Sequence, residues 1–434
     1  MKQLLFLLFF SITVTVNGQD TLSLEQAMDL SLKNNFSAQI ARNNQLLAEK
    51  NNNIINAGFL PELNLGYNDT RGITDSRVNL STGQTREGNN VNTQSLGKSA
   101  IVSYTLFDGF TMFIERSRLS ELERAGQYQA KLTIENTLAQ TVVAYYAIVQ
   151  QQKMQSVIQE AINLSNERLK LVQVMTNIGT AAGQTVLQAN VDVNADSARL
   201  IQQIAIIKNS KSDLNRLIGR DVSINFSVRD NIKLNQDLKL DYLFEKLESF
   251  NPQLLLARSN INLALINANS LKSQYYPTLD IFGGYNATKN INPISAAPLV
   301  ESSGLTYGLT ASFNILSFPS AIVNVRSAKL IIKSNRLQFE DTKIDLQNEL
   351  YKNYNNYLSS LQLIKLQSNN VALAREDVDI SMGRFRLGHI TDIDLRITQQ
   401  KLIDLENQLL VSQYNAKLAE IELLRLSGQL LTVQ

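Results

Sequence analysis

The amino-acid sequence contains a long internal repeat. Residues 99–219 and 308–428 align without a gap at a constant offset of 209. Upstream, Asn35 and Asn251 match at an offset of 216, so the first half has a loop that is seven residues longer. A repeat of this length is half of a pseudo-symmetric protein rather than a short solenoid unit. The fold must therefore be built from two similar halves.

Charge and composition exclude several classes of protein. The 434 residues carry a formal charge of +2, which does not indicate a nucleic-acid-binding surface. Cysteine is absent and His389 is the only histidine, so the sequence offers no thiol nucleophile and no zinc or copper site. We expect neither an enzyme nor a cofactor-binding protein, and His389 is expected to be a surface residue of a turn.

The first residues resemble an export signal. Lys2 precedes an apolar segment over Leu4–Phe10, and small residues over Val16–Gly18 suit a cleavage site. This apolar stretch is shorter than the roughly 20 residues that a membrane-spanning helix needs. We therefore expect a signal peptide over 1–18, and no mature segment is apolar enough for a transmembrane helix.

Long proline-free stretches predict long helices. There are only six prolines, and none lies between residues 62 and 251 or after 319. Two helices are expected before Pro61 and two before Pro277. Two much longer helices are expected to end each half, over about 109–177 and 185–217, and over about 321–386 and 391–426. At 1.5 Å per residue the longest span roughly 100 Å, so they must pack side by side as coiled coils.

The last helix has an apolar seam with heptad spacing. Leu402, Leu409, Ala416 and Leu423 lie seven residues apart, and a second apolar stripe runs beside this seam. Two stripes indicate neighbours on two sides, as in a closed ring of helices. An ordinary helical bundle with a broad apolar face is the alternative.

Short segments with alternating polarity predict β-strands. They lie over about 62–70 and 99–107 in the first half, and over about 278–287 and 304–314 in the second. Each has about ten residues with one polar and one apolar face, which is typical of a strand between lipid and an aqueous lumen. The polar segments 69–96 and 287–302 are expected to be long loops.

Four such strands are too few for a closed barrel. An open sheet in lipid would leave backbone groups at its edges unpaired, so several copies of the chain must share one barrel. We expect a signal peptide over 1–18, a first repeat over 19–219, a linker over 220–240 and a second repeat over 241–434. The fold class is mixed α and β, with duplicated helix–strand–strand–helix halves.

The sequence resembles the TolC-type outer-membrane factors, also called the outer membrane efflux protein family. The resemblance covers essentially the whole mature chain and rests on the duplicated plan and on short motifs at matching positions. These motifs are Phe59-Leu60-Pro61, Tyr275-Tyr276-Pro277, Leu106-Phe107-Asp108-Gly109, Ile178-Gly179-Thr180 and Leu387-Gly388-His389. Thr398 departs from the family pattern, which usually has alanine there.

The resemblance implies a homotrimer with a shared 12-stranded barrel in the outer membrane and a helical tunnel in the periplasm. It also implies that the two hairpin turns form the periplasmic tip, where an adaptor (membrane-fusion) protein docks. The docking residues would be Gly179, Thr180, Gly388 and His389. Glycines that end helices explain the first and third of these without any function.

An acidic residue matches the constricting position of the family. Asp394 would repeat three times around the aperture, and Thr185 is its equivalent in the first half. Asp392 is a weaker candidate, because it has no positional match. Both carboxylates could instead simply complement the dipole of a helix N-terminus. Three arginines near the tip, Arg384, Arg386 and Arg396, are further candidates for ion pairs that hold it closed.

The strand-to-helix junctions also match the family. Asp108 is a candidate N-cap followed by Gly109, and in the second half Ser317 is a candidate cap followed by Pro319. The resulting hypothesis is a passive exit duct in the outer membrane, part of a tripartite efflux pump or type I secretion system with an inner-membrane transporter. An exported coiled-coil scaffold or adhesin without a pore is the alternative. The substrate cannot be inferred from the sequence.

Overall fold

A computed structural model describes residues 21–229, 232–235 and 237–430. The expected signal peptide over 1–18 lies outside the described residues. The mixed fold with two similar halves is confirmed, and the elements follow one another in the same order twice. In the first half they are β1 (Thr21–Leu22), α1 (Leu24–Asn34), α2 (Phe36–Asn51), β2 (Glu62–Asn79), β3 (Thr85–Phe107), α3 (Thr111–Asn177) and α4 (Gly183–Leu217).

The second half begins with a strand in the expected linker. Its elements are β4 (Ser227–Val228), α5 (Leu240–Phe250), α6 (Pro252–Lys272), β5 (Thr278–Ile291), β6 (Leu299–Ser312), α7 (Phe318–Arg386) and α8 (Asp392–Leu426). The four long helices begin and end close to the bounds that the sequence predicts. No helix in the described part of the chain is long and apolar enough to cross a membrane.

The chain divides into two compact units. One contains the described residues of 1–43, 129–255 and 342–434, and the other contains residues 44–128 and 256–341. The first unit has its core where α3, α4 and α8 pack, around residues such as Leu138, Leu214 and Ile421. The second unit contains the four-stranded sheet.

The segment 220–240 was expected to be only a linker, but it contributes to the core. Phe226 and Val228 are both buried in the cluster of the first unit. β4 pairs in parallel with β1, and the Tyr145 hydroxyl bridges the two strands. It donates to the Leu22 carbonyl and accepts from the Arg229 N–H, each at 3.2 Å. Two residues are too few for a strand signal in the sequence.

The larger sheet has the strand order β2-β3-β5-β6, and all its pairs are antiparallel. Its strands are longer than predicted, because most of the segments 69–96 and 287–302 are paired strand rather than loop. The turns are confined to about 80–84 and 292–298. These extensions have polar residues on both faces and only scattered apolar ones, so their sequence shows no regular alternation.

Candidate functional site: the turns of the helical hairpins

Both hairpin turns use the same backbone motif. Gly179 and Gly388 have φ angles of +81° and +74°, a left-handed conformation in which glycine avoids the steric cost of a side chain. The N–H of the following residue, Thr180 or His389, donates to a carbonyl five residues earlier at 2.9 Å. This is the Schellman motif that ends helices. The turns of α3–α4 and α7–α8 are therefore alike in backbone.

The helices that follow the turns begin differently. α8 begins with a capping box, in which the Thr391 hydroxyl accepts from the Asp394 N–H at 3.1 Å. Asp394 in turn accepts from the Thr391 N–H at 3.0 Å and from its hydroxyl at 2.7 Å. α4 begins after Ala182, which has no side-chain cap, and Thr185 stands where Asp394 stands in the repeat.

Asp394 remains exposed despite this local role. Hydrogen bonds from Thr391 are the main cause that lowers the pKa of its carboxyl, and the charge of Arg384 adds a smaller effect. The carboxylate is therefore ionised at neutral pH and points a negative charge at the surface of the tip. Its predicted place at an aperture stays a prediction, as does that of Thr185.

His389, Thr180 and Gly388 are exposed at the turns. His389 takes part in the turn through its backbone N–H. No group of three or more His, Cys, Asp or Glu side chains in the described chain is placed to hold a metal ion. The imidazole is thus a surface group, and the docking role of these residues stays a prediction.

A buried charged cluster lies behind the tip, and the sequence analysis did not identify it. We call it the tip cluster: Ser165 and Arg168 of α3, Asp192 and Asp196 of α4, and Asp392 and Arg396 of α8. It joins side chains from both hairpins. Arg396, Asp196 and Arg168 are separated by up to 228 positions in the chain, so no local pattern could indicate that they meet.

Arg396 and Asp196 form the best-defined ion pair of the tip cluster. Two guanidinium nitrogens of Arg396 each lie 2.9 Å from a different carboxylate oxygen of Asp196. Ser165 donates to the same carboxylate at 2.6 Å. Burial alone would raise the pKa of Asp196, but these hydrogen bonds and nearby charges lower it overall. Arg396 had been only one of three candidate arginines.

Arg168 is fully buried and is less completely paired. It contacts Asp192 through Nη2, and its Nε lies 3.4 Å from Oδ1 of Asp392. Within the described residues, Nε and Nη1 of Arg168 and Oδ1 of Asp392 have no hydrogen-bond partner. Burial is the main cause that raises the pKa of Asp392, although Arg168 opposes it. Asp392 is therefore a buried member of the cluster rather than an exposed first-turn residue.

A cavity of about 770 Å³ opens beside this cluster, between the two hairpin turns. Apolar side chains of Val172, Met175 and Phe385 line it together with Asp192, Asp392 and Arg396. The cavity therefore combines an apolar lining with charged side chains of the tip cluster.

The strand-to-helix junction of the first half is tightly constrained. The Asp108 carboxylate accepts from the Met112 N–H at 2.9 Å, so it caps the first turn of α3 from outside the helix. Gly109 has a φ of +68°, and a Cβ there would lie 2.6 Å from the Ser273 carbonyl oxygen. In the second half Pro319 is the second residue of α7, and Ser317 ends a short 3₁₀ turn before it.

Comparison with known proteins gives the same fold. Residues 243–429 match the family model described as outer membrane efflux protein. The chain is 18% identical to the outer membrane efflux protein BepC of Brucella suis over 427 residues, 96% of this chain and 88% of that protein. The chain is thus similar to outer membrane efflux proteins, in its second half by the family model and over most of its length by BepC.

Solved structures with the fold of this chain include two outer-membrane proteins. The outer-membrane channel OprN superposes with a TM-score of 0.78 at 15% identity, covering 94% of this chain and 90% of that one. VceC of Vibrio cholerae gives a TM-score of 0.75 at 15% identity, covering 93% and 96%. The shared fold extends over both halves of the chain, beyond the residues that match the family model.

Proposed function

We propose that three copies of this chain form an outer-membrane exit duct. A shared 12-stranded barrel would cross the membrane, and a helical tunnel would extend into the periplasm. A periplasmic adaptor would open the tip so that material delivered by an inner-membrane transporter can leave. The single observation that carries this proposal is the four-stranded sheet, which has an exposed apolar face and two edges without a partner strand.

The apolar face of this sheet is very large for a protein surface in water. Leu65 is 76% exposed, Leu305 is 80% exposed and Tyr307 is 86% exposed. Such a face is stable next to lipid, and unpaired edges in lipid would be costly, so neighbouring copies must pair with β2 and β6. The open sheet therefore favours a closed barrel made from several chains.

An aromatic cluster supports the same placement at the helix end of the sheet. The rings of Phe107, Phe110 and Tyr276 pack edge to face, with centroids 5.3 to 6.3 Å apart. Aromatic residues are concentrated at both membrane–water interfaces of barrel proteins. This junction would then lie at the periplasmic interface.

A third observation supports assembly along the tunnel. α7 carries exposed apolar residues at heptad spacing, a stripe that the sequence analysis overlooked. They are Val323, Leu330, Leu337, Ile344, Tyr351 and Leu358, followed after one extra residue by Leu366, Leu373 and Ile380. A strict seven-residue repeat follows a left-handed supercoil, so this stripe suits a helix of a neighbouring copy. A scaffold without a pore would not explain the sheet.

Two measurements test the duct. Detergent-extracted protein should run as a trimer, and reconstituted protein should conduct ions across a planar bilayer. A water-soluble monomer without conductance would refute the proposal.

Docking of the adaptor at the tip needs a variant that spares assembly. Gly388→Val should weaken co-purification of the adaptor but leave the trimer intact, because no described atom lies within 4 Å of the new Cβ and the strain of a side chain at this positive φ is local to the turn. Gly83→Val is the matched control. Gly83 also has a positive φ, +82°, and open space, but it lies in the turn between β2 and β3. Equal loss of adaptor binding in both variants would exclude docking at the α7–α8 turn.

A further inference from the structure

The outward face of the sheet changes character along the strands. Antiparallel register places directly opposed residues on the same face. Near the helix end, Tyr104 of β3 is opposite Ile281 of β5, and Ile281 is opposite Leu309 of β6. Lys98 lies six residues before Tyr104 in β3, on the same face, and it stands where the apolar side chains of that face end. The apolar band therefore ends at the row that contains Lys98.

In the central parts of the four strands, basic residues lie only towards the turns between strands, on the face that carries the apolar band. The segment of β2 from Glu62 to Thr74 has one basic residue, Arg71, and the segment of β3 from Val91 to Phe107 has one, Lys98. β5 also has one, Lys289, and β6 has none. All three share the face of the apolar band by register. The opposite face carries only the acidic Glu62 and Asp280 in those segments. The face of the apolar band also carries Asp69 and Glu301, so in these segments it has three cations and two carboxylates, whereas the opposite face has two carboxylates and no cation.

Lys98 is the cation that the chain leaves unneutralised. Arg71 is paired with Asp69 at 3.0 Å, and Lys289 with Glu301 at 2.7 Å. Among the described residues Lys98 makes no ion pair or hydrogen bond, and it is exposed. By register it stands beside Tyr67 on β2, and Lys289 lies diagonally across on β5. A phosphate group could be reached by both lysine side chains.

The distance along the strand fits a lipid headgroup. At about 3.3 Å per residue, the nine residues from Phe107, at the proposed periplasmic interface, to Lys98 span roughly 30 Å along the strand. With a tilt of about 35–45° this is about 21–24 Å along the membrane normal, and the apolar band of such barrels is about 25 Å tall. Tyr67 and Tyr285 stand at or next to the row of Lys98, as an interfacial aromatic belt would. Lys98 and Lys289 would therefore lie at the level of the outer-leaflet headgroups.

We propose that Lys98 and Lys289 form a binding site for the phosphate groups of a glycolipid in the outer leaflet. A cavity of about 290 Å³ on this face is lined by both lysines, by Leu96, Ala287 and Ser303, and by Glu301, the carboxylate that pairs with Lys289 and that the phosphate must displace. The lysines bind the phosphate, and the apolar band below them contacts the acyl chains. The inference rests on the proposed function, because it places the turn end of the strands at the outer leaflet.

The test measures how much glycolipid the trimer retains. Detergent-solubilised trimer is mixed with bisphosphorylated lipid A, with the same lipid lacking its phosphates, or with inorganic phosphate, and bound lipid is counted by native mass spectrometry. Each lysine near an anionic surface contributes about 1 kcal/mol, or about five-fold in affinity. Lys98→Gln/Lys289→Gln should therefore lower retention of phosphorylated lipid A by about 25-fold, and Lys98→Arg should retain it.

The matched control is Lys365→Gln/Lys401→Gln, which removes two exposed lysines from α7 and α8. It should retain lipid like the unmodified protein. Equal retention of phosphorylated and dephosphorylated lipid by a conducting trimer would overturn this inference alone. Equal competition by inorganic phosphate at lipid concentrations would also overturn it, because the acyl chains would then contribute nothing. Failure to assemble in any lipid or detergent would instead overturn the proposed duct.

Discussion

The side-chain amide of Asn35 donates a hydrogen bond to the carbonyl oxygen of Leu217 at 2.8 Å. Asn35 is buried and precedes α2, whereas Leu217 is the last residue of α4. The side-chain oxygen Oδ1 of Asn35 accepts from the backbone N–H groups of Ser37 and Ala38, so the same side chain caps α2. One asparagine side chain thus provides hydrogen-bond partners for backbone N–H groups at the start of α2 and for a carbonyl at the end of α4.

The second half repeats this arrangement. Asn251 donates to the Leu426 carbonyl at 2.8 Å and caps α6 through Gln253 and Leu254. A glycine follows each of these helix ends, and Gly428 has a φ of +66° with a carbonyl oxygen 2.6 Å from where its Cβ would lie. The sequence repeat therefore preserves a specific contact between helices, not only an apolar pattern.

Removing either amide should destabilise the protein by a similar amount. Asn35→Ala and Asn251→Ala each lose a cap and leave a buried carbonyl unpaired, which should cost about 1–3 kcal/mol. Asn35→Asp keeps the capping oxygen but cannot donate to Leu217, so it should also destabilise. Chemical unfolding in detergent measures the effect. Asn43→Ala, an exposed position on α2, is the control and should change little; equal loss there would contradict the prediction.

The sequence predicts the long helices well because their limits are local. Proline spacing and the glycines that end helices brought the bounds of α3 and α8 within a few residues of those observed. The far parts of the strands could not be predicted, because pairing there does not depend on one apolar face. β4 was also missed, because parallel pairing with β1 joins residues some 200 positions apart.

The tip was predictable only in part. Asp394 was identified because it matches the constricting position of the family that the sequence resembles, but its hydrogen bonds to Thr391 were not anticipated. Arg168 looks like an ordinary exposed helical residue in the sequence, yet it is completely buried. Whether a charged side chain on a long helix faces solvent or a second helix depends on packing between segments that are distant in the chain.

Arg168 should be essential for the stability of the tip cluster. Arg168→Met leaves the carboxylates of Asp192 and Asp392 without this buried cation, and removing one partner of a buried ion pair typically costs about 3–5 kcal/mol. Adding Asp392→Asn should recover part of the loss, because one of the unneutralised charges is removed. Chemical unfolding of the trimer tests both variants.

The control for the tip cluster is Arg42→Met, at an exposed position on α2. It should shift the free energy of unfolding by less than about 0.5 kcal/mol. If Arg168→Met cost no more than this control, the cluster would contribute nothing to stability.

Glu135 should make stability depend on pH. It is 1% exposed, and neither carboxylate oxygen has a hydrogen bond within the described residues; Lys131 lies 3.7 Å away. Burial is the main cause that raises its pKa, against the opposing charges of Lys131 and Arg425. A carboxyl whose pKa is higher in the folded than in the unfolded state stabilises the fold at pH values below its unfolded-state pKa. This stabilisation is lost as the pH rises through the folded-state pKa.

Glu135→Met should remove the loss of stability that accompanies ionisation of this buried carboxyl. At neutral pH the variant should be more stable than the unmodified protein by on the order of 1 kcal/mol. The difference should shrink as pH falls and the native carboxyl becomes protonated. Thermal unfolding from pH 4 to pH 8 measures it, with the exposed Glu49→Met as control. A difference independent of pH would show that packing, not ionisation, causes the change.

Asp394 caps the start of α8, and we expect its charge to favour cations at the aperture; two substitutions separate these roles. Asp394→Asn removes the charge but keeps an oxygen that can accept from the Thr391 N–H, whereas Asp394→Ala removes both. If the carboxylates form a ring at the aperture, both variants should lower the preference for cations in bilayer recordings. Only Asp394→Ala should also reduce the stability of the start of α8.

The repeat supplies the reciprocal experiment. Thr185 occupies the matching position on α4, so Thr185→Asp should add a second set of carboxylates and increase the preference for cations. The substitution is tolerated by the backbone, because Ala182 leaves the first turn of α4 without a side-chain cap and an acidic residue suits a helix N-terminus. Unchanged ion selectivity in all three variants would place Asp394 away from the conducting path and leave it only its role in the capping box.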